Sequence, residues 1–169
     1  MPDNWYLFFL TALIPLIIGF FWYGNFGFGK KWMSINGFTE ESLEGANMAM
    51  IFGVSYLFGV FISLALSGVV VHQTNTLQMM MPDVIESGSA AQAQFNDLMM
   101  TYGGNFRTFG HGALHGGFLG ILLVLPVVAI NALFERRGWV YILIHTGYWL
   151  VTMALIGGVL CKYLYYAPL

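Results

Sequence analysis

The sequence predicts an all-α, polytopic membrane protein with four transmembrane helices and a longer outer loop that carries a short interfacial helix. Hydrophobic residues make up 58% of the chain and charged residues only 8%, whereas a soluble domain carries about 25% charged residues. Four stretches each supply the ~20 mostly apolar residues that a membrane-spanning helix needs, and their interiors contain no charged residue. We therefore expect residues 1–169 to form one membrane domain.

The four predicted spans cover, in chain order, about residues 5–23, 48–71, 111–134 and 140–163. Backbone N–H and C=O groups in lipid must be paired within their own segment, so each span is expected to be a helix. Pro15 predicts a kink in the first span, and Pro126 lies inside the third.

Two loops are predicted to carry short helices. In the inner loop between the first two spans, Thr39 is suited to cap a helix that starts at Glu40, where the helix dipole favours an acidic side chain. The longest polar stretch is the outer segment 73–108. Within it, Pro82 indicates a helix start, and residues 90–100 are predicted to form a helix lying on the membrane.

The basic residues predict the orientation of the chain. Four of the six follow the first and third spans: Lys30, Lys31, Arg136 and Arg137. The opposite side has only Arg107 and Lys162. Because cytoplasmic loops carry an excess of Lys and Arg, this bias places both termini outside, in a multi-pass protein of the bacterial inner membrane.

Small residues at four-residue spacing predict where the helices pack, because helices in lipid associate through close backbone approach. One such row in the second span contains Ser55, Gly59, Ser63 and Ser67. A second row, in the third span, contains Gly112, Gly116 and Gly120. We expect the second and third spans to pack tightly, either within a subunit or between subunits.

Three histidines form the clearest candidate site. His111 and His115 are four residues apart and so project from one helix face, and His72 ends the second span at the same membrane depth. Three imidazoles at one interface suit zinc, another transition metal or haem. Additional acidic ligands would have to fold back from the outer segment, where Asp83, Glu86 and Asp97 lie. The alternative is that the three histidines only form hydrogen bonds with the loop backbone.

Two polar residues lie inside the predicted spans. His145 is about two turns inside the fourth span, and Asn131 lies in the third. An ionisable residue at this depth is a candidate functional group. The alternative is a neutral His145 that forms a hydrogen bond across helices, with Asn131 or Tyr23 as its partner.

Several function classes are not expected. The net charge is −2 and the basic residues form no stripe, so we expect no nucleic-acid partner. The sequence shows neither a nucleophile–base pair nor a cofactor fingerprint, so we expect neither an enzyme nor a resident cofactor, apart from the metal or haem considered above. The spans contain no carboxylate, which is the usual proton relay of a proton-coupled transporter.

Several motifs resemble those of a bacterial membrane family catalogued as domain of unknown function 1761. Its opening signature is matched at residues 19–23, 28–33 and 37–41. Its closing signature is matched at residues 131–136, 147–149 and 157–158. Residues 105–109, followed by His111 and His115, are similar to Bacteroidetes-type members. The resemblance implies a four-helix membrane protein with no established activity.

Three functional hypotheses follow. The first is a non-enzymatic accessory or scaffold subunit that binds membrane partners, lipid or further copies of itself. The second is a small oligomeric transporter or channel, with a water-accessible path that touches Ser63, Asn131 or His145. The third is a metal- or haem-binding redox component that uses His72, His111 and His115.

Overall fold

The computed structural model describes residues 2–166, and every regular element in that range is helical. The α-helices are α1 Leu7–Thr11, α2 Ile14–Trp22, α3 Gly29–Asn36, α4 Glu40–Leu43, α5 Met48–Val70, α6 His72–Met79, α7 Ala90–Tyr102, α8 Phe109–Leu119, α9 Leu125–Phe134 and α10 Trp139–Tyr163. A 3-10 turn at Asp83–Ile85 precedes α7, and a π-helical segment at Gly120–Val124 joins α8 to α9. Met1 and residues 167–169, which the predicted domain includes, lie outside the described residues.

Within residues 2–166, three helical stretches are long and apolar enough to cross a membrane: Met48–Val70, Phe109–Phe134 and Trp139–Tyr163. Their bounds lie within two residues of the second, third and fourth predicted spans. The first apolar stretch, Leu7–Trp22, is shorter. The described part of the chain therefore contains three helices that are long and apolar enough to cross a membrane, where the sequence predicts four spans.

The first apolar stretch is divided because of Pro15. α1 ends at Thr11, and α2 begins at Ile14 with Pro15 in its first turn, where a missing N–H group leaves no helical bond unmade. The hydroxyl oxygen of Thr11 lies 2.7 Å from the Leu7 carbonyl oxygen and 2.9 Å from the hydroxyl oxygen of Ser63 on α5. The predicted kink is thus a short break between α1 and α2, and Thr11 beside it forms a hydrogen bond with α5.

The third predicted span stays continuous through Pro126 because the helix widens before it. A proline ring conflicts with the carbonyl group four residues earlier, which here belongs to Leu122. Leu122 lies inside the π-helical segment, and α9 begins at Leu125, directly after that segment. The wider π turn accommodates the ring without ending the helix.

The last helix, α10, lies at the centre of the bundle. In the most apolar 18 residues of each long helix, 50% of α10 is buried inside the protein, against 22% of α5 and 11% of Phe109–Phe134. It packs most extensively against α8 and also contacts α1, α2, α5 and α9. The hydrophobic core forms where Leu66 of α5 meets Ile156 and Leu160 of α10.

The two rows of small residues face different helices rather than each other. A Cβ atom on Gly112 would lie 2.2 Å from the carbonyl oxygen of Gly157, and one on Gly116 would lie 2.1 Å from that of Met153, so this row faces α10. In the other row, a Cβ atom on Gly59 would lie 2.7 Å from the Ala12 carbonyl oxygen. Instead of the predicted tight pairing of the second and third spans, the closest backbone approaches of the two rows are to α10 and to the first apolar stretch.

The remaining members of those rows differ in their surroundings. Gly120 approaches the backbone of Leu150 on α10, with 2.8 Å between a Cβ atom placed on it and the Leu150 Cα atom. Ser67 is buried and donates to the Leu64 carbonyl of its own helix at 2.7 Å. Ser55 lines a cavity between α2 and α5.

The two ends of the bundle differ in their short helices. At one end, which we call the α3 end, the Arg137 side chain donates to the Ile35 carbonyl of α3 at 3.3 Å. At the other, the α7 end, Gln73 of α6 donates to the Gly103 carbonyl just after α7 at 2.8 Å. The helices α3 and α6 and the end of α7 are thus placed by polar contacts at the ends of the long helices.

Candidate metal centre

Three histidine side chains converge at the α7 end of the bundle. His72 is the first residue of α6, and His111 and His115 lie one turn apart on α8. Their candidate ligand nitrogens all lie within 4.8 Å of one another. The Nε2 atoms of His72 and His111 are in hydrogen-bond contact at 3.0 Å. The structure therefore brings together all three residues of the predicted metal site.

Local backbone features position these side chains. Val71 is extended, with φ −112° and ψ 92°, and this interrupts the long helix just before His72. Thr108 caps α8 by accepting a hydrogen bond from the His111 backbone N–H at 3.2 Å. Because Gly112 and Gly116 face α10, the adjoining positions His111 and His115 lie on a more open side of α8, where both are half-buried.

Phe106 covers one side of the histidine group. Its ring centroid lies 5.0 Å from that of His111 and 6.1 Å from that of His72. The Phe106 backbone has φ 61°, a left-handed conformation that bulky residues rarely adopt. Cys161 Sγ donates to the Phe106 carbonyl at 3.3 Å. The fold thus holds a strained backbone in place beside the candidate site, which costs on the order of 1–3 kcal/mol.

The donor set suits a borderline transition-metal ion. Tetrahedral zinc sites have Zn–N distances of about 2.0–2.1 Å, which corresponds to about 3.3 Å between ligand nitrogens. The observed spacings, from 3.0 Å to at most 4.8 Å, bracket that value. Among the described residues the cluster contains histidines alone, so Asp83, Glu86 and Asp97 do not join it. An all-imidazole set favours zinc, copper or nickel over calcium or magnesium.

A haem held by two of these histidines does not suit this arrangement. Two axial histidines must lie on opposite faces of a porphyrin ring, with the ring between them. The Nε2 atoms of His72 and His111 are instead in direct contact. His115 shares the helix face of His111, and their ring centroids lie 4.5 Å apart. The geometry therefore favours a bare ion over haem.

His145 belongs to a separate group near the α3 end. Its Nδ1 atom lies 2.9 Å from the hydroxyl oxygen of Tyr23, and its ring centroid lies 4.2 Å from that of Tyr141. Its Nε2 atom is buried and has no hydrogen-bond partner within residues 2–166. Asn131, the other partner considered for His145, is exposed on α9. Tyr23 thus occupies the partner position, and Asn131 lies apart from it.

Sequence reasoning missed the role of Arg107. Its Nη2 atom donates to the Leu164 carbonyl, which ties the loop before α8 to the end of α10. Burial lowers the pKa of the Arg107 guanidinium below its ordinary value. The sequence could have indicated this role, because Arg107 stands between Phe106 and the helix cap Thr108. A basic side chain beside an apolar interface needs hydrogen-bond acceptors from the protein.

Comparison with known proteins shows one relationship. A family model described as "Protein of unknown function (DUF1761)" matches residues 7–161. The matched range includes the three clustered histidines and all of α1 to α9. No curated protein and no solved structure matches the chain.

Proposed function

The chain belongs to the DUF1761 family, as its opening and closing motifs predict, and we propose that it is a membrane protein that binds a divalent transition-metal ion. The ligands are His72, His111 and His115. The observation that carries this proposal is the convergence of their ligand nitrogens to within 4.8 Å of one another.

The exposure of the site supports exchange of the ion or its ligand with water. His72 is exposed, whereas His111 and His115 are half-buried. Structural zinc sites are usually closed by four protein ligands, and sites with three protein ligands keep one position for water or another molecule. Within the described residues this cluster offers three ligands. An ion held there would also link the junction of α5 and α6 to α8.

We further propose that the first apolar stretch crosses the membrane despite its break. Asn4 donates to the Tyr163 carbonyl at one end of α10, and Trp22 donates to the Ile144 carbonyl near the other. Residues 144 and 163 are 19 positions apart, about 28 Å along a helix, and the hydrocarbon core is about 30 Å thick. Four crossings with both termini outside would place the metal centre at the outer face of the inner membrane.

The channel hypothesis has less support from the structure. It needs a shared polar path, but Ser63 is buried against Thr11, and Asn131 is exposed on α9. His145 contacts Tyr23 near the α3 end. These three residues do not share a surface within the chain.

An accessory or scaffold role agrees with one observation. Over its most apolar window, Phe109–Phe134 is only 11% buried, which leaves much of that helix available to lipid, a second copy or another membrane protein. Metal binding and such a role are compatible, because the histidine cluster lies at the α7 end of the bundle.

The direct test is metal analysis of the full chain, purified in detergent with an affinity tag that contains no histidine. After dialysis against zinc and removal of free metal, we expect inductively coupled plasma mass spectrometry to find about one zinc ion per chain. His111→Ala should weaken zinc binding by more than about 100-fold, because loss of a ligand exceeds the 10–100-fold cost of losing a hydrogen-bond partner of one. His145→Ala is the matched control. Equal zinc content in the wild type and in a variant lacking all three ligands would overturn the proposal.

A further inference from the structure

A cavity lies at the α7 end, between α6, the segment that follows α7 and the C-terminal end of α10. Its volume is about 390 Å³. Both Arg107 and Lys162 line it. The other four basic residues of the chain lie elsewhere, in the segments 30–31 and 136–137. This cavity thus concentrates the positive charge of its end of the molecule.

Two buried polar atoms of residues that line this cavity have no hydrogen-bond partner among residues 2–166. Arg107 uses Nη2 to bind the Leu164 carbonyl, but its Nη1 atom is buried without a hydrogen bond within residues 2–166. Gln73 uses its amide nitrogen to bind the Gly103 carbonyl, and its Oε1 atom is likewise buried and unpaired. An unsatisfied buried polar group costs about 1–3 kcal/mol, so a ligand that reached these two atoms would be stabilised by pairing with them.

The two charges at this cavity also have no ion-pair partner among the described residues. In the part of the chain that the structure describes, no carboxylate forms an ion pair with Arg107 or Lys162. The Lys162 ammonium instead lies 4.9 Å from the ring centroid of Tyr163. A planar guanidinium fork and a flexible ammonium together are a common pair of groups for holding phosphate oxygens.

We propose that this cavity binds a phosphate group at the membrane interface, with Arg107 and Lys162 as its cationic contacts. The site lies at the end of α10, a helix long enough to cross a membrane. The end of such a helix lies at the depth of the lipid headgroups. Tyr163, Tyr165 and Met99 supply an aromatic and thioether wall beside the charges. A lipid phosphodiester and free phosphate share this chemistry, and the experiment separates them.

The unpaired Gln73 Oε1 atom adds a requirement for a hydrogen-bond donor. A phosphate oxygen can accept from Arg107, but Gln73 Oε1 can only accept and therefore needs a hydrogen-bond donor, which a hydroxyl group of the ligand can supply. The headgroup of phosphatidylglycerol combines a phosphodiester with two hydroxyl groups, whereas that of phosphatidylcholine has no hydrogen-bond donor. The site is independent of the proposed metal function, since none of the three metal ligands lines this cavity.

The test uses the full chain in phosphatidylcholine nanodiscs titrated with phosphatidylglycerol that carries a fluorescent acyl chain. We expect Lys162→Gln and Arg107→Gln each to weaken phosphatidylglycerol binding by about five-fold, the factor for one lost cation near a lipid surface. Lys31→Gln, an exposed lysine on α3, should leave binding unchanged. Arg107→Gln also removes the hydrogen bond to the Leu164 carbonyl and so could disturb the fold. Lys162 is exposed, and Lys162→Gln leaves that hydrogen bond intact.

A parallel arm adds millimolar inorganic phosphate, with sodium chloride at equal ionic strength as its control. Displacement of the fluorescent lipid by phosphate but not by chloride assigns the cavity to free phosphate. If phosphate does not displace the lipid, and Lys162→Gln weakens phosphatidylglycerol binding, the cavity is assigned to the lipid headgroup. If phosphatidylglycerol binds no better than phosphatidylcholine and phosphate has no effect, the proposal is overturned.

Discussion

The Nε2 atoms of His72 and His111 lie 3.0 Å apart, although 39 positions separate the two residues in the chain. At that distance one imidazole donates a hydrogen bond and the other accepts it, so at least one ring must be neutral. Protonation of both rings would replace this contact by repulsion between two cations. A metal ion would replace the same contact by coordination and would also require both nitrogens to be unprotonated.

Metal retention should therefore depend on pH. We expect zinc to stay bound near neutral pH and to be released at acidic pH, because protons compete with the ion for the same nitrogens. Zinc content after dialysis at each pH measures this. Full retention at the lower pH would show that the ion is held by groups other than these histidines.

Zinc should also stabilise the folded chain. A ligand at 100 times its dissociation constant adds about 2.7 kcal/mol of stability when it binds only the folded state. We expect the apparent melting temperature in detergent to rise with zinc in the wild type and to stay unchanged in His115→Ala. Magnesium should have no effect on either protein, because it prefers oxygen ligands. An equal rise in both proteins would point to binding elsewhere.

The sequence predicted the histidine cluster because spacing and hydrophobic pattern determine membrane depth. His111 and His115 share a helix face by their separation, and the apolar run before His72 ends at the same level. The all-α prediction holds for the described residues for the same reason, since long apolar runs require paired backbone groups.

Features that depend on which helices become neighbours were not predictable in the same way. The small-residue rows indicated close contacts but not their partners, and Gly116 faces Met153 of α10 rather than the second span. The helix α6 was missed because His72–Met79 is polar and lacks an apolar period. The left-handed backbone of Phe106 follows from its tertiary contacts and has no local signal in the sequence.

The close packing of α8 on α10 should make Gly116 intolerant of a side chain. A Cβ atom there would meet the Met153 carbonyl oxygen at 2.1 Å, whereas one on the adjacent Gly117 would have no atom outside its own helix turn within 4 Å. We expect Gly116→Ala to destabilise the fold by about 1–3 kcal/mol or more through overpacking. Gly117→Ala should be neutral or stabilising by up to about 1 kcal/mol, as expected from helix propensity. Thermal unfolding in detergent compares the two, and equal stabilities would contradict the observed packing.

Two substitutions at Phe106 should separate backbone strain from ring contact. Phe106→Ala and Phe106→Gly both remove the ring that lies over His111, so both should change zinc affinity equally. Only glycine adopts φ 61° without steric cost. We therefore expect Phe106→Gly to be more stable than Phe106→Ala by about 1 kcal/mol in thermal or denaturant unfolding. Alanine equal to or more stable than glycine would show that the position is not held in the left-handed conformation.

The pair formed by Tyr23 and His145 should stabilise the bundle without affecting the metal centre. Tyr23→Phe removes the 2.9 Å contact and leaves both ring nitrogens of His145 unpaired, because Nε2 already lacks a partner within residues 2–166. A buried group left unpaired costs about 1–3 kcal/mol. Tyr141→Phe is the control, since Tyr141 contacts the same ring through its aromatic face.

Combining Tyr23→Phe with His145→Leu should cost less than the sum of the single changes, since the second removes the group that the first leaves unpaired. Zinc binding should be unchanged in all three variants, because His145 is not one of the clustered ligands. Additive losses of stability would mean that the two residues act independently. Loss of zinc from the Tyr23 variant would mean that the two ends of the bundle are coupled, which the position of the two groups at opposite ends of the bundle does not predict.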